Sequence, residues 1–301
     1  MGLEGRRFGW GGEFADRTAP AAGPGRTFAS VTTASADPFL VGARTRQYPG
    51  RLSGPRDLAL LSNPWVLGPD ADRARELLAE HFASTGDVSD DPLRRDLIAG
   101  NARTRANDAA FADAIAGAPA FATTFPDTGL GRQLRSVASI IAVRGTLAAD
   151  RQVFYAAEGG FDQHDDQSRD LPERHATIGP AIRAFADAMV ELGLDDRVTL
   201  FTASDFGRTV AVNGDGTDHG WGGHHFVVGG AVRGGEIHGE VPPYDLGLES
   251  YTASRGRLIP STSVDQYAAT LGRWFGLGDA ELADALPNLG NFARPDLGLF
   301  H

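Results

Sequence analysis

The sequence predicts an α/β fold with a mainly parallel central sheet, and three observations carry that expectation. Short runs rich in β-branched and aromatic residues, QVFYAA (152–157), RVTLFTA (197–203) and HFVVGGAV (225–232), read as strands. Helical patterns alternate with them, which argues for a sheet covered on both faces. With 301 residues, 42% hydrophobic and 22% charged, the chain has a globular composition and enough length to bury one sizeable core. One domain over 1–301 is expected, with 54–150 as a helical layer or insertion within it.

Each element follows from local chemistry. Residues 1–53 are rich in Gly, Arg, Ala, Ser and Thr and read mostly as loop, with short strands near 28–32 and 39–41. Pro69-Asp70 opens a helical run with Ala74, Leu77, Leu78 and Phe82 on one face. Asp91-Pro92 opens a second, to about Ala116, with Pro well placed in a first turn. After a Pro- and Gly-containing loop over 118–130, GRQLRSVASIIAVRGTLA puts Leu134, Val137, Ala138 and Ile141 on one face. The strand at 152–157 is followed by a helix with Ile182, Phe185, Met189 and Leu192 on one face, closed near Gly193. The last helix, SVDQYAATLGRWFGL (263–277), is capped by Ser263.

Bulk properties bound the function. A net charge of −11 argues against a nucleic-acid partner, since no basic stripe is present to neutralise phosphates. It leaves an anionic small substrate open, because a bound cation reverses the local sign. The absence of cysteine rules out disulfides and thiolate metal ligands. No apolar run approaches the roughly 20 residues of a membrane span. The start, MGLEGRRFGWGGEF, has no apolar signal core, so no export signal is read in the chain as given.

Six of the eight histidines fall between 164 and 238. QVFYAA runs into GGFDQHDDQ, setting Asp162 and His164 just past a strand's carboxyl end, where ligands bind in open α/β sheets. RVTLFTA runs into SDFGRT, which sets Asp205 and Arg208 there too. The stretch TDHGWGGHHFVVGG (217–230) adds Asp218, His219, His224 and His225, and reaches the same edge if its strand runs antiparallel or its loop folds back. If the segment is strand-like, His224 and His225 point to opposite faces, so at most one is a direct ligand. This oxygen-and-nitrogen set suits a divalent metal: Zn, or alternatively Mn, Fe, Mg or Ca. The plainer alternatives are a solvated polar turn at Asp162 and His164, and a helix cap at Asp205 for a helix starting at Phe206. Arg208 either pairs with a structural carboxylate or grips an anionic substrate group.

Several long motifs in order, namely FGWGGEFADR, SADPFLVGARTRQYPG, GGFDQHDDQ, VTLFTASDFGRTVAVNGDGTDHGWGGHHFVVGGAVRGGEIHG, LIPSTSVDQYAATLGRWFGL and LPNLGNF, resemble the DUF1501 family. Its members resemble the alkaline phosphatase–sulfatase superfamily. The resemblance implies an alkaline-phosphatase-like three-layer sandwich and a metal centre acting on phosphate or sulfate esters. It implies that Asp162 and His164 form a carboxylate–imidazole pair that His219 completes, with Asp218 beside it, and that Asp205 is the carboxylate of a second metal site. Phe206 stands where phosphatases of that superfamily place a histidine. The strand and glycine-rich segment with which family members usually begin are not found, so the fold is expected to be incomplete at its N-terminus, with homo-oligomerisation across the exposed edge. Export by the twin-arginine route, to the periplasm or outside the cell, is the location the resemblance implies. The expected function is a metal-dependent hydrolase of a small anionic ester, with Arg208 holding the ester oxygens. The alternative is a catalytically inactive metal-binding or accessory protein on the same scaffold.

Overall fold

The computed structural model describes residues 8–52, 70, 72–74, 76, 77, 80, 91–243, 252, 253 and 256–301. Helix α1 (Trp10–Thr18) forms where the sequence read as loop. Gly11 and Gly12 hide it from propensity arguments, and packing explains them. A Cβ on Gly12 would sit 2.2 Å from the carbonyl carbon of Val41, and one on Gly11 2.4 Å from the Phe39 ring. The helix therefore lies backbone to backbone on the 38–42 segment, with Trp10 edge-on to Phe39 at 4.6 Å. That segment was expected to be a strand near 39–41. It is a 3₁₀ turn, Pro38–Leu40, because Asp37 caps it by accepting from Phe39 N at 2.8 Å and Pro38 suits the first turn.

A short helix, α2 (Pro24–Thr27), leads into β1 (Ser30–Thr32), and β2 (Tyr48–Pro49) follows the turn. Helix α3 (Pro92–Ala116) starts as expected at Asp91, whose carboxylate accepts from Leu93 N at 3.0 Å. Helix α4 (Gly129–Ala142) is capped by Thr128 and precedes β3 (Val153–Tyr155). The three strands form a small parallel sheet in the order β2-β1-β3. Of the helical run expected after Pro69, 72–74, 76 and 77 are helical, while Leu78 and Phe82 lie outside the described residues.

Side-chain alternation places this sheet between layers. Val31 is buried with Phe28, Phe111 and Ile140, on the side of α3 and α4. Ser30 points the other way and donates to the Leu40 carbonyl at 2.9 Å, on the side of α1. The expected face of α4, Leu134, Val137, Ala138 and Ile141, is buried against Ala181, Phe185, Ala188 and Met189 of α5 (Gln167–Glu191).

The second half is antiparallel. Strand β4 (Leu200–Phe201) is followed by a hairpin, β5 (Gly207–Val212) with β6 (Thr217–Gly220), and then by β7 (Val227–Val228), which pairs antiparallel with β4. The strands expected at 197–203 and 225–232 are thus neighbours running in opposite directions, outside the parallel sheet. A small pair, β8 (Thr252–Ala253) with β9 (Arg257–Leu258), precedes α6 (Val264–Phe275). Ser263 and Gln266 form a reciprocal capping box at the start of α6, at 3.1 and 3.0 Å. Helix α7 (Asp279–Ala285) packs with α6 and Phe14 of α1 around Leu282. No helix among the described residues is long and apolar enough to cross a membrane.

Candidate metal centre

Two segments build the site. The first is the loop from β3 to α5, which carries Asp162 and His164 and ends at Asp166 in the left-handed region, φ 55°. The second is the β5–β6 hairpin, read as loop from the sequence. Its turn, Asn213-Gly214-Asp215-Gly216, is a recognisable hairpin signal, and Asn213 N donates to Gly216 O at 3.1 Å. Gly216 lets the hairpin dock on the loop, since a Cβ there would lie 2.2 Å from the carbonyl carbon of His164. Gln167 N reaches Asp215 O at 3.1 Å and fixes the contact.

Cross-strand register then does the positioning. Arg208 of β5 and His219 of β6 are direct partners, so both side chains leave the same face of the hairpin. That face meets Asp162. Oδ1 of Asp162 lies 2.6 Å from His219 Nε2, 2.8 Å from His164 Nε2 and 2.9 Å from Arg208 Nη1. One carboxylate oxygen is therefore the hub of two imidazoles and a guanidinium. The His219 hydrogen bond chiefly holds the Asp162 carboxyl down to about 2, against partial desolvation, with Arg208 and the histidine charges adding to the lowering.

Among the described residues, Asp162, His164 and His219 are the group able to hold a metal ion, with one ligand atom from each within 4.8 Å of the others. The donor chemistry fits. Two imidazole nitrogens and a carboxylate oxygen suit Zn²⁺, Mn²⁺ or Fe²⁺ better than Mg²⁺ or Ca²⁺, which favour all-oxygen shells. Spacing adds a condition. Ligand atoms around a tetrahedral ion with bonds of about 2.1 Å stand roughly 3.4 Å apart, so Asp162 must withdraw by under an ångström to admit one. The side chains are 56%, 45% and 50% exposed, which leaves that movement and the approach of a small ligand open.

Neighbouring groups hold the rings. Phe206 stacks on His219 with centroids 4.3 Å apart and planes 3° off parallel, and the Arg208 guanidinium lies over Phe206 at 5.6 Å. Asp205 caps no helix at Phe206, because Gly207 begins a strand. Asp218 faces His164 Nδ1 at 3.7 Å and accepts from Asn213 Nδ2 at 2.7 Å.

Arg208 is heavily engaged. Its Nε donates to Thr217 Oγ1 at 2.9 Å, its Nη2 to Gln163 O at 2.5 Å and to Thr217 O, and its Nη1 to Asp162. Four of its five N–H groups are taken, so it orients Asp162 and has one N–H left.

The remaining candidates lie apart from the trio. Asp205 sits near Tyr155 at the end of β3. Burial first, then Asp37 and the charge of Asp205, pushes the Tyr155 phenol up to about 12. His225 stacks over Tyr267 at 6.2 Å, with its Nδ1 3.5 Å from Thr202 Oγ1. Burial and then the charge of His224 push its imidazole down. Reading by residue type missed Phe206, Thr217 and Gln163 as parts of this site. The NGDG turn would have pointed to Thr217, whereas nothing local marks Phe206 as the partner of an imidazole.

A family model described as protein of unknown function (DUF1501) matches residues 62–286. No curated protein and no solved structure matches the chain.

Proposed function

The chain belongs to the DUF1501 family, and from that premise we propose that it is a metal-dependent hydrolase of a small phosphate or sulfate ester, built on an alkaline-phosphatase-like three-layer sandwich. The parallel sheet with α3 and α4 on one side and α1 on the other supports the fold reading. The observation that carries the function is the convergence of Asp162, His164 and His219 from two separate segments onto one solvent-accessible face. These three would hold the cation, with Zn²⁺, Mn²⁺ or Fe²⁺ as the fitting ions. The bound ion would supply Lewis acidity for an anionic ester.

The chain's own residues supply order. Arg208 fixes the carboxylate of Asp162, and Phe206 fixes the plane of His219. Such supporting contacts commonly change metal affinity or activity by 10–100-fold when removed. The remaining N–H of Arg208 would take one ester oxygen. The exposed half of the trio would admit a small or flexible ester.

The test is metal content of the purified protein after separate loading with zinc, manganese or iron, with turnover of 4-nitrophenyl phosphate and 4-nitrophenyl sulfate. One equivalent of metal and hydrolysis that stops in Asp162→Ala are expected. No uptake, or hydrolysis indifferent to Asp162, overturns the reading. A second reading, metal binding without turnover, is favoured by the engagement of Arg208, which leaves little for a substrate. Full metal uptake with no hydrolysis of either ester would select it.

A further inference from the structure

The carboxyl ends of β1 and β2 open onto a cleft of about 450 Å³ that the trio does not use. Thr33 and Arg51, just past those strands, form one side, and Arg132, Gln133 and Ser136 of α4 form the other. The chain carries 39 acidic residues against 28 Lys and Arg, yet the described residues lining this cleft include two arginines and no acid. Two carboxylates among the described residues lie close by: Asp127, paired with Arg132 at 2.6 Å, and Glu158, which comes within 3.9 Å of where a Gly129 Cβ would stand. The Asp127 pair is largely exposed on both sides, and exposed pairs are weak enough to yield to a better-placed anion.

The cleft is open to solvent, and its floor connects to the loop that carries Asp162. Its floor is close-packed, since a Cβ on Gly50 would lie 2.5 Å from Val31 Cγ1 and 2.7 Å from Ile140 Cδ1. Thr33 N donates to Tyr155 O at 2.9 Å, joining the end of β1 to the end of β3. Gln133 grips Ala157 by both backbone groups, at 2.8 and 2.9 Å. From Ala157 to Asp162 the chain spans five residues, no more than about 18 Å even when extended.

We infer that this cleft is an anion-binding subsite, which takes a second phosphate, sulfate or carboxylate group of an extended substrate whose ester lies at Asp162. The two guanidiniums supply the charge and the N–H donors, while the Thr33 and Ser136 hydroxyls already donate to the Tyr155 and Arg132 carbonyls. Anion binding here stands on the cleft alone, and its role as a substrate subsite rests on the hydrolase reading above. That role makes doubly anionic esters the preferred class.

Calorimetric titration of the metal-free protein with pyrophosphate tests the cleft separately from the chemistry. The expected result is saturable binding at matched ionic strength, unchanged in Asp162→Asn and weakened at least tenfold in the Arg51→Gln/Arg132→Gln double variant. Circular dichroism establishes that the double variant is folded, and both replaced side chains are exposed. No saturable binding, binding indifferent to the two arginines, or binding abolished by Asp162→Asn overturns the inference. With activity in hand, the same double variant raises KM for a bis-phosphate ester relative to 4-nitrophenyl phosphate. An equal effect on both esters removes the substrate role even where the anion still binds.

Discussion

Replacing Arg208 by methionine separates two roles that the residue type alone leaves open. The side chain is 17% exposed and makes three contacts away from Asp162: to the Thr217 hydroxyl, the Thr217 carbonyl and the Gln163 carbonyl. A hydrogen bond involving a charged group contributes about 1.5–3 kcal/mol. Taking the lower end, because water can enter the vacated space, the three together amount to about 4–5 kcal/mol. The exposed contact with Asp162 is left out of that figure. For a chain of this size roughly 2 °C of midpoint accompanies each kcal/mol, so Arg208→Met should unfold about 8–10 °C lower in EDTA. Loss of the guanidinium that orients Asp162 should also weaken metal binding by about 10–100-fold. Differential scanning calorimetry and a Co²⁺ titration read the two effects. A variant that keeps its midpoint and its Co²⁺ affinity but loses turnover would refute the reasoning and make Arg208 a substrate clamp instead.

Three further outcomes follow from the same geometry. Phe206→Leu removes the stack on His219 and should weaken Co²⁺ binding about tenfold, with Phe206→Tyr restoring it; equal affinities in all three proteins would deny the stack a role. The Asp162 carboxyl is held at about 2 in the folded protein against an ordinary value of 3.8. A lowered carboxyl pKa stabilises above the unfolded value and loses that effect as pH falls through the folded one. In metal-free protein, the melting-temperature deficit of Asp162→Asn should therefore be present at pH 5 and shrink between about pH 4 and 2, whereas a deficit constant with pH would contradict it. Gly12→Ala forces a methyl into the Val41 backbone, and should cost at least the roughly 1–3 kcal/mol of an overpacked core, read as a midpoint loss of about 2–6 °C; a neutral effect would mean that α1 does not lie on that segment.

Where sequence was informative, the signals were local. Asp91-Pro92, the apolar spacing of Leu134, Val137 and Ile141, and the cap at Ser263 specify helices by capping and periodicity, and the structure follows them closely. Where it was silent, tertiary contact decides. Gly11 and Gly12 read as a loop until Phe39 and Val41 are seen pressed against them. Strands of two or three residues, such as β2 and β4, are too short to fix a pairing direction, so the antiparallel β4–β7 pair could not be read from composition. The site shows the same division. Asp162, His164 and His219 stand out by residue type, and Asp162 and His164 also by their place after a strand. That one oxygen of Asp162 gathers both imidazoles and Arg208 depends on the register that sets Arg208 opposite His219.

The central claim is that Asp162, His164 and His219 close around a single cation. Anomalous diffraction at the zinc edge, from crystals grown with equimolar Zn²⁺, tests it most directly. The account predicts one peak bonded to a carboxylate oxygen of Asp162 and a ring nitrogen of each histidine at about 2.0–2.2 Å. Zinc bound elsewhere, or Asp162 still bridging His164, His219 and Arg208 with no peak beside it, would contradict it.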